Sequence, residues 1–165
     1  MTYPTQWSFD LDPVAVRMAF VSPGLGDEPV FATPDAADAV VASFDHSDAT
    51  PDEVQGLLDV SRKLLRTAII HYEFAAIAAE KSIQALELAV RTRLGADNKP
   101  LFAQLIKRLA AETDLTAEEI DRIDTGRRLR NDLFAHPSRA VAFPLGMATG
   151  LMQTSFSLIS RLFSL

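Results

Sequence analysis

The sequence predicts an all-α protein, a helical bundle that follows an irregular N-terminal extension. From residue 50 onward, apolar side chains recur at helical spacing in one long segment after another. Threonines followed three residues later by glutamate mark helix starts, and glycine or proline separates the helical segments. We therefore divide the 165 residues into an acidic N-terminal extension, residues 1–49, and a helical bundle, residues 50–165.

The N-terminal extension carries weak signals for β-structure and one clear helix start. Apolar residues alternate with polar or small ones between Phe9 and Met18, which predicts a strand or a short hairpin. Thr33 and Pro34 then predict a short helix, since threonine is a good N-cap and proline suits the first helical position. The polar run from residue 45 to residue 50 predicts a linker.

The bundle is predicted to begin with a long helical segment. Thr50 and Glu53 have the spacing of a capping box, and the helical period of apolar residues continues to Arg93. The pattern predicts either one helix of about forty residues or two nearly collinear helices with a bend near His71. Gly95 suits the position after the last helical residue, where a left-handed conformation costs glycine little.

Three further helices complete the predicted bundle. The first follows Pro100 and has an apolar face that begins at Leu101. The second starts at Thr116, in capping-box spacing with Glu119, and carries an arginine-rich segment at its C-terminal end. The third runs from about residue 144 to residue 163.

Composition narrows the classes of function. A hydrophobic content of 48% and a charged content of 23% are typical of globular proteins. The absence of cysteine excludes disulfides and thiolate metal sites, and it favours a cytoplasmic location. The three histidines share no ligand spacing such as His-x-x-x-His, so we expect neither a zinc site nor a cofactor.

Two segments bear on secretion and membranes. The first four residues include neither a basic start nor an apolar run, so we expect no signal peptide. The stretch from residue 140 to residue 165 has a single charge, Arg161, but a proline, two glycines and six hydroxyl or amide side chains dilute its hydrophobicity. It predicts a buried helix of a soluble bundle, and we expect no membrane association.

The charges are unevenly distributed along the chain. Residues 1–53 carry ten acidic side chains and a single arginine, a net charge of −9, whereas residues 54–165 carry fifteen basic and twelve acidic side chains, a net charge of +3. A basic body is compatible with an anionic ligand, and the acidic extension would then shield it. The alternative is that both charge sets are simply solvated.

The segment from Arg127 to Pro137 carries the groups best suited to chemistry. It offers a fixed cation, Arg130, an adjacent amide, Asn131, and a titratable imidazole, His136. Pro137 disfavours the α conformation at His136, so the helix is expected to end there. Residues at spacings of three and four share a helix face, and in this segment they are Arg127, Arg130, Asn131 and Phe134.

These residue types suit cleavage of an RNA phosphodiester. The reaction requires the 2′-hydroxyl to lose a proton, charge to be stabilised on the phosphoryl oxygens, and the leaving 5′-oxygen to gain a proton. Histidine suits the proton transfers because its pKa lies near neutrality. Arginine suits the phosphate because its planar fork donates two parallel hydrogen bonds. No metal ion is required.

Arg130-Asn131 followed by His136 resembles the Arg-x(4–6)-His motif of the HEPN superfamily, with five residues between the arginine and the histidine. The position near the end of a late helix is also similar, with one more helix after it. The alanine-rich stretch from Phe74 to Glu87 resembles the helix that precedes the motif in many members. The resemblance covers roughly residues 51–165.

The resemblance implies a helical bundle that forms a homodimer, with both copies of the motif at the interface. Many members are metal-independent endoribonucleases of toxin–antitoxin, defence or RNA-processing systems that leave a 2′,3′-cyclic phosphate. It implies that Arg130 polarises the phosphate, His136 transfers protons and Asn131 is a polar adjunct. The expected partners are RNA and an antitoxin-like protein, and the expected RNA-binding residues are Arg127, Arg128 and Arg139.

Two other interpretations remain open. The first is a non-catalytic HEPN-like module for dimerisation or for binding RNA or a nucleotide, and the second is a structural bundle without an anionic ligand. In the structural case, His136 is only a helix C-terminal cation, and His71 is a core or interface residue. The arginines then pair with acidic side chains in an ionic network, for which the candidates are Asp121, Asp124, Asp132 and Glu87.

Overall fold

A computed structural model of the protein describes residues 10–21, 28–134 and 143–164. These residues are mostly helical, which confirms the predicted all-α class. The two short strands are β1, Ala19–Phe20, and β2, Val30–Phe31. The α-helices are α1 Pro34–Ser43, α2 Asp52–Thr67, α3 Phe74–Arg93, α4 Phe102–Glu112, α5 Ala117–Leu129 and α6 Leu145–Phe163.

Helices α2 and α3 form a helical hairpin, so the prediction of one long helix or two nearly collinear helices is wrong. The chain turns back between Thr67 and Phe74, and the buried hydroxyl of Ser61 donates a 2.7 Å hydrogen bond to the carbonyl of Ala78 across the hairpin. The break near His71 is confirmed. Neither proline nor glycine causes it; folding back buries the apolar faces of both helices, which a straight helix would leave in water. His71 itself is exposed at this corner, so of its two expected places, core or interface, the core is excluded and the interface stays a prediction.

Helix α3 is the central element of the bundle. It packs against α2 on one side and α6 on another, where the hydroxyls of Ser82 and Ser155 are 3.2 Å apart. The core around it is drawn from every helix, and its largest fully buried side chains include Leu58, Leu65, Ile83, Leu86, Leu105, Leu109, Ile123, Met152 and Phe156.

Local capping chemistry sets several helix ends as predicted. Thr33 accepts a hydrogen bond from the backbone N–H of Ala36 at the start of α1. At the start of α5, the Thr116 hydroxyl accepts from the Glu119 N–H and the Glu119 carboxylate accepts from the Thr116 N–H, which is a complete capping box. Gly95 has φ +56° and closes the C-terminus of α3.

The capping box predicted at Thr50 is wrong. Helix α2 begins at Asp52, with Pro51 as the N-cap residue, and the Thr50 side chain is buried. The amide of Gln55 reaches back instead and donates a 2.6 Å hydrogen bond to the Thr50 carbonyl. Since Pro51 is extended, at ψ 144°, the helix starts one residue later than the spacing of Thr50 and Glu53 indicates.

The N-terminal extension contains the antiparallel pair β1–β2, in which Ala19 lies opposite Phe31. The pair lies later in the chain than predicted, because residues 15–17 form a turn of 3₁₀ helix. Asp12 causes this turn: its Oδ1 accepts hydrogen bonds from the N–H groups of Val14 and Ala15 at 2.7 and 3.2 Å. Phe9, the first residue of the predicted strand, lies outside the described residues.

Within the described ranges, no helix combines the length and the apolar character that a membrane span requires.

Candidate functional site

An open cleft of 340 Å³ lies beside the C-terminal end of α5, and we call it the arginine cleft. Three elements meet there: the end of α3, the connection from α3 to α4, and the end of α5. Its main lining side chains are Glu87 and Arg91 from α3, Lys99 and Leu101 from the connection, and Arg127, Arg130 and Asn131 from the end of α5.

Three of the four residues of the face predicted from helical spacing line this cleft; the side chain of the fourth, Phe134, is not described. Arg127, Arg130 and Asn131, at spacings of three and four, line the same hollow. Helix α5 passes directly into a π-helical turn, Arg130–Phe134, so the first two motif residues lie where the regular α-helix ends. The π-helix is rare in proteins and is found frequently at functional sites.

Arg91 has a structural role in the cleft. Its Nε and Nη2 donate hydrogen bonds to Glu87 Oε1 at 3.2 and 2.7 Å, and the side chains of both residues are largely buried. Its Nη1 donates to the carbonyl oxygens of Asp97 and Pro100 at 3.0 and 3.1 Å. Each nitrogen of the guanidinium therefore has a protein acceptor. Arg91 thereby fixes the connection that carries Lys99.

Only one of the three guanidinium nitrogens of Arg130 has an acceptor among the described residues. Its Nη1 donates to Glu87 Oε2, whereas its Nε and Nη2 have no acceptor among the described residues. Those two nitrogens form the side-on fork of a guanidinium, the edge that holds two oxygens of a phosphate or carboxylate. The side chain is 38% exposed and lines the cleft, so it is accessible to a ligand there.

Arg127 also has guanidinium nitrogens that could donate to a ligand. Its Nε donates a 2.6 Å hydrogen bond to Asp124 Oδ1, and neither of its terminal nitrogens has an acceptor within the described part of the chain. Arg128 differs: its Nε and Nη2 both contact Asp124 Oδ2, and it does not line the cleft. The two arginines hold the pKa of Asp124 below its usual value, with the hydrogen bond from Arg127 as the largest cause.

The ionic network expected as an alternative is therefore present, with Asp124 and Glu87 as its acids. It leaves a surplus of positive charge in the lining itself, although Lys99 and Arg127 also pair with Asp97 and Asp124, which lie outside the lining. Among the lining residues, four are cationic (Arg91, Lys99, Arg127 and Arg130), against the single carboxylate of Glu87. This surplus occurs in a chain whose formal net charge is −6, so positive charge is concentrated locally.

Leu101 lies at the rim of the cleft and is 68% exposed, so its predicted place on the buried face of α4 is wrong. The helix begins at Phe102, and Leu101 is the extended N-cap residue before it. Residues after it, such as Phe102 and Leu105, form the apolar face as predicted. The cleft thus combines cationic groups with one aliphatic side chain open to solvent.

Several predicted residues lie outside the described ranges. His136 and Arg139 belong to the stretch 135–142, so their predicted roles remain predictions. No described residue of the N-terminal extension lines the arginine cleft. The shielding expected of that extension therefore has no contact to support it in those residues.

Sequence reasoning missed the contribution of Lys99, Arg91 and Leu101 to the site. Glu87 and Arg91 have the acid-to-base spacing of an i,i+4 helix pair, which was a readable signal for their mutual contact. No local pattern indicates that this pair meets the end of α5. Their meeting depends on how α4 and α5 fold back against α3.

One group of described side chains has the composition of a metal site. Ligand atoms of Asp12, His71 and Glu73 lie within 4.8 Å of one another at the corner between α2 and α3. Both Asp12 oxygens already accept backbone hydrogen bonds, Oδ2 from the N–H of Tyr72 at 3.1 Å. The Asp12 carboxylate therefore connects the N-terminal extension to the corner between α2 and α3 through hydrogen bonds. None of the three residues lines the arginine cleft.

Comparison of the chain with protein-family models, with curated proteins and with solved structures gives no match.

Proposed function

We propose that the protein binds RNA in the arginine cleft and is a metal-independent endoribonuclease of HEPN type. The observation that carries the proposal is that Arg127 and Arg130 line one hollow, while the Nε/Nη2 fork of Arg130 and the terminal nitrogens of Arg127 have no protein acceptor in the described chain. A phosphodiester group supplies the paired oxygens that such a fork binds best. Lys99, which is exposed at the same cleft, adds an attraction for neighbouring phosphates.

In the proposed reaction, Arg130 binds the non-bridging oxygens of the scissile phosphate and stabilises the charge that develops on them. The 2′-hydroxyl loses its proton, the bond from O2′ to phosphorus forms, and the bond from phosphorus to O5′ breaks as O5′ gains a proton. His136, six residues after Arg130, carries the proton transfers, and the exposed amide of Asn131 orients the phosphate or the imidazole. The products are a 2′,3′-cyclic phosphate and a 5′-hydroxyl.

The proposal includes a homodimer, as the HEPN resemblance implies, because pairing would bring two copies of the motif together. The mass of the protein in solution, measured by light scattering, tests this part separately. A mass of twice 18.0 kDa supports it, and the monomer mass contradicts it.

The test of the nuclease is incubation of the purified protein with mixed RNA in a chelator of divalent metals. The wild type is compared with Arg130→Ala and His136→Ala, and with the control Lys63→Ala, which removes an exposed cation of α2 outside the cleft. Cleavage that leaves 2′,3′-cyclic ends, is lost in both motif variants and persists in the control supports the proposal. An intact RNA in the wild-type reaction contradicts it.

A second candidate function is a non-catalytic RNA- or nucleotide-binding module. The observation that favours it is the ion pair from Arg130 to Glu87, which already takes one edge of the guanidinium. Cleavage and binding measured on the same RNA separate the two functions, since the module binds RNA through Arg127 and Arg130 and leaves it uncut.

A further inference from the structure

A continuous chain of charged hydrogen bonds leads from the α3–α4 connection to Arg130. The carbonyls of Asp97 and Pro100 accept from Arg91, Arg91 donates to Glu87 Oε1, and the other oxygen of Glu87 accepts from Arg130 Nη1. Glu87 is thus the only acceptor that Arg130 has among the described residues. It is also the single carboxylate that lines the cleft.

The geometry of this chain leaves one particular edge of Arg130 open. Glu87 holds Nη1, and the two nitrogens left over, Nε and Nη2, are the adjacent pair that forms the side-on fork. Glu87 and Arg91 are themselves well anchored, because their side chains are 16% and 14% exposed and lie one helical turn apart on α3. Arg130 is 38% exposed, so most of its restraint comes from this partner.

We infer that Glu87 is a positioning residue, which orients Arg130 so that its Nε/Nη2 fork faces the cleft before a ligand arrives. This inference rests on the proposed RNA-binding function of the cleft. A carboxylate beside an anion site repels the ligand and lowers its affinity. Glu87 offsets this repulsion if it holds the Arg130 side chain in the orientation that binds the ligand. Arginine has a long side chain with high rotamer entropy, and an acceptor that fixes it in advance removes that cost from binding.

The test is a double-mutant cycle on RNA affinity. The dissociation constant of a short fluorescein-labelled single-stranded RNA is measured in chelator by fluorescence anisotropy, for the wild type, Glu87→Gln, Arg130→Gln and the double variant. Glu87→Gln is expected to weaken binding by roughly threefold to tenfold, the cost of ordering one arginine side chain at binding. In the Arg130→Gln background, the same substitution is expected to weaken binding clearly less, because only the effect that passes through Arg91 remains. The control Glu80→Gln removes a charge from the same helix outside the cleft and is expected to have no effect.

Two results overturn the inference. If Glu87→Gln tightens binding, the carboxylate is a repulsive group and not a positioning group. If it weakens binding equally in both backgrounds, its role is to stabilise the fold and does not act through Arg130. Should Glu87→Gln fail to fold by circular dichroism, Glu87→Asp enters the same cycle, since it keeps the charge and withdraws the oxygens from Arg130 by one methylene.

A second readout separates this inference from the proposed function. If the wild type binds no RNA, the proposed function fails, and the orientation of Arg130 is then read from its Nε–H signal in ¹H–¹⁵N spectra, assigned by its loss in Arg130→Lys. A sharp signal in the wild type that broadens in Glu87→Gln supports positioning. An identical signal in both proteins contradicts it.

Discussion

Two hollows in the described part of the chain are lined by more than one arginine, and they differ in how many arginine donors the protein itself binds. The arginine cleft lies at the end of α5. The second hollow, which we call the α1–α2 groove, has a volume of 680 Å³, twice the 340 Å³ of the cleft. Its charged lining consists of two acids and three cations: Asp38, Asp59, Arg62, Lys63 and Arg66.

The arginines of the α1–α2 groove are committed to the fold. Arg62 donates to Asp59 at 2.9 Å and to the Phe44 carbonyl, and its guanidinium carbon lies 4.6 Å from the centre of the Phe156 ring. The side-on fork of Arg66 is closed on the carboxylate of Asp38. In the arginine cleft, by contrast, the equivalent edge of Arg130 has no acceptor among the residues that the structure describes. The arginine cleft is the better candidate for the proposed anion site because its donor edges are open, and not because of its size or the number of its cations.

The largest expected effect is on the rate of RNA cleavage, which should depend on an arginine of the arginine cleft and not on one of the α1–α2 groove. Arg130→Gln is expected to lower the rate of RNA cleavage by about a hundredfold or more, because it removes the donor that stabilises charge on the phosphoryl oxygens. Arg62→Gln is expected to leave that rate within about twofold of the wild type, because Arg62 donates its hydrogen bonds to Asp59 and to the Phe44 carbonyl and not to a ligand. Single-turnover cleavage of a labelled RNA in chelator measures both rates. Equal losses in the two variants would remove the distinction drawn between the hollows.

A second prediction concerns RNA affinity and its dependence on salt. Arg127→Gln is expected to weaken binding severalfold and to reduce the slope of log K against log salt by about one, the signature of a lost phosphate contact. Lys63→Gln, the loss of one exposed cation in the α1–α2 groove, is expected to change neither quantity. Anisotropy titrations at four salt concentrations measure the slopes. An unchanged slope for Arg127→Gln would contradict a phosphate contact at that residue.

A third prediction concerns stability, for which the arginine of the α1–α2 groove is expected to matter. Arg62→Gln is expected to lower the free energy of unfolding by about 1–3 kcal/mol, because it removes a charged donor from a backbone carbonyl and a cation from the face of Phe156. RNA affinity is expected to stay unchanged. Urea unfolding followed by circular dichroism gives the stability, and Lys63→Gln serves as the control. A stable Arg62→Gln protein would show that the groove arginine is not committed to the fold.

The smallest expected effect concerns pH. The pKa of Asp124 is lowered in the folded protein by its hydrogen bonds from Arg127 and Arg128. A lowered folded-state pKa contributes stability that is fully present above the unfolded value, about pH 4, and is lost as the pH falls through the folded value. Unfolding free energies measured at pH 7 and pH 3 are therefore expected to fall less in Asp124→Asn than in the wild type. Equal falls in the two proteins would contradict the pairing of Asp124.

The sequence predicts the parts of the fold that depend on nearby residues. Thr33, Thr116 and Gly95 terminate helices through contacts within a few residues, and all three were identified correctly. The return of the chain between α2 and α3 was not predicted, because residues 68–73 contain neither proline nor glycine and remain compatible with a helix. Burial of both helix faces decides that turn, and burial depends on the whole fold.

The candidate site likewise has a part that local spacing predicts and a part that depends on the whole fold. Helical spacing alone placed Arg127, Arg130 and Asn131 on one face, and the structure brings them to one cleft. Glu87 was named as a candidate partner of the arginines, but 43 residues separate it from Arg130, and no local pattern selects it over Asp121 or Asp132. The contribution of Lys99 requires the fold of the α3–α4 connection, which Arg91 holds through two carbonyls.

The central claim, that RNA occupies the arginine cleft, is tested most directly by photo-crosslinking. A short RNA that contains 4-thiouridine is irradiated with the wild-type protein in chelator, and the crosslinked peptides are identified by mass spectrometry. Crosslinks are expected in peptides that carry Leu101 or Asn131, both of which line the cleft. Crosslinks confined to peptides that carry Val41 or Ala42, in the α1–α2 groove, would contradict it.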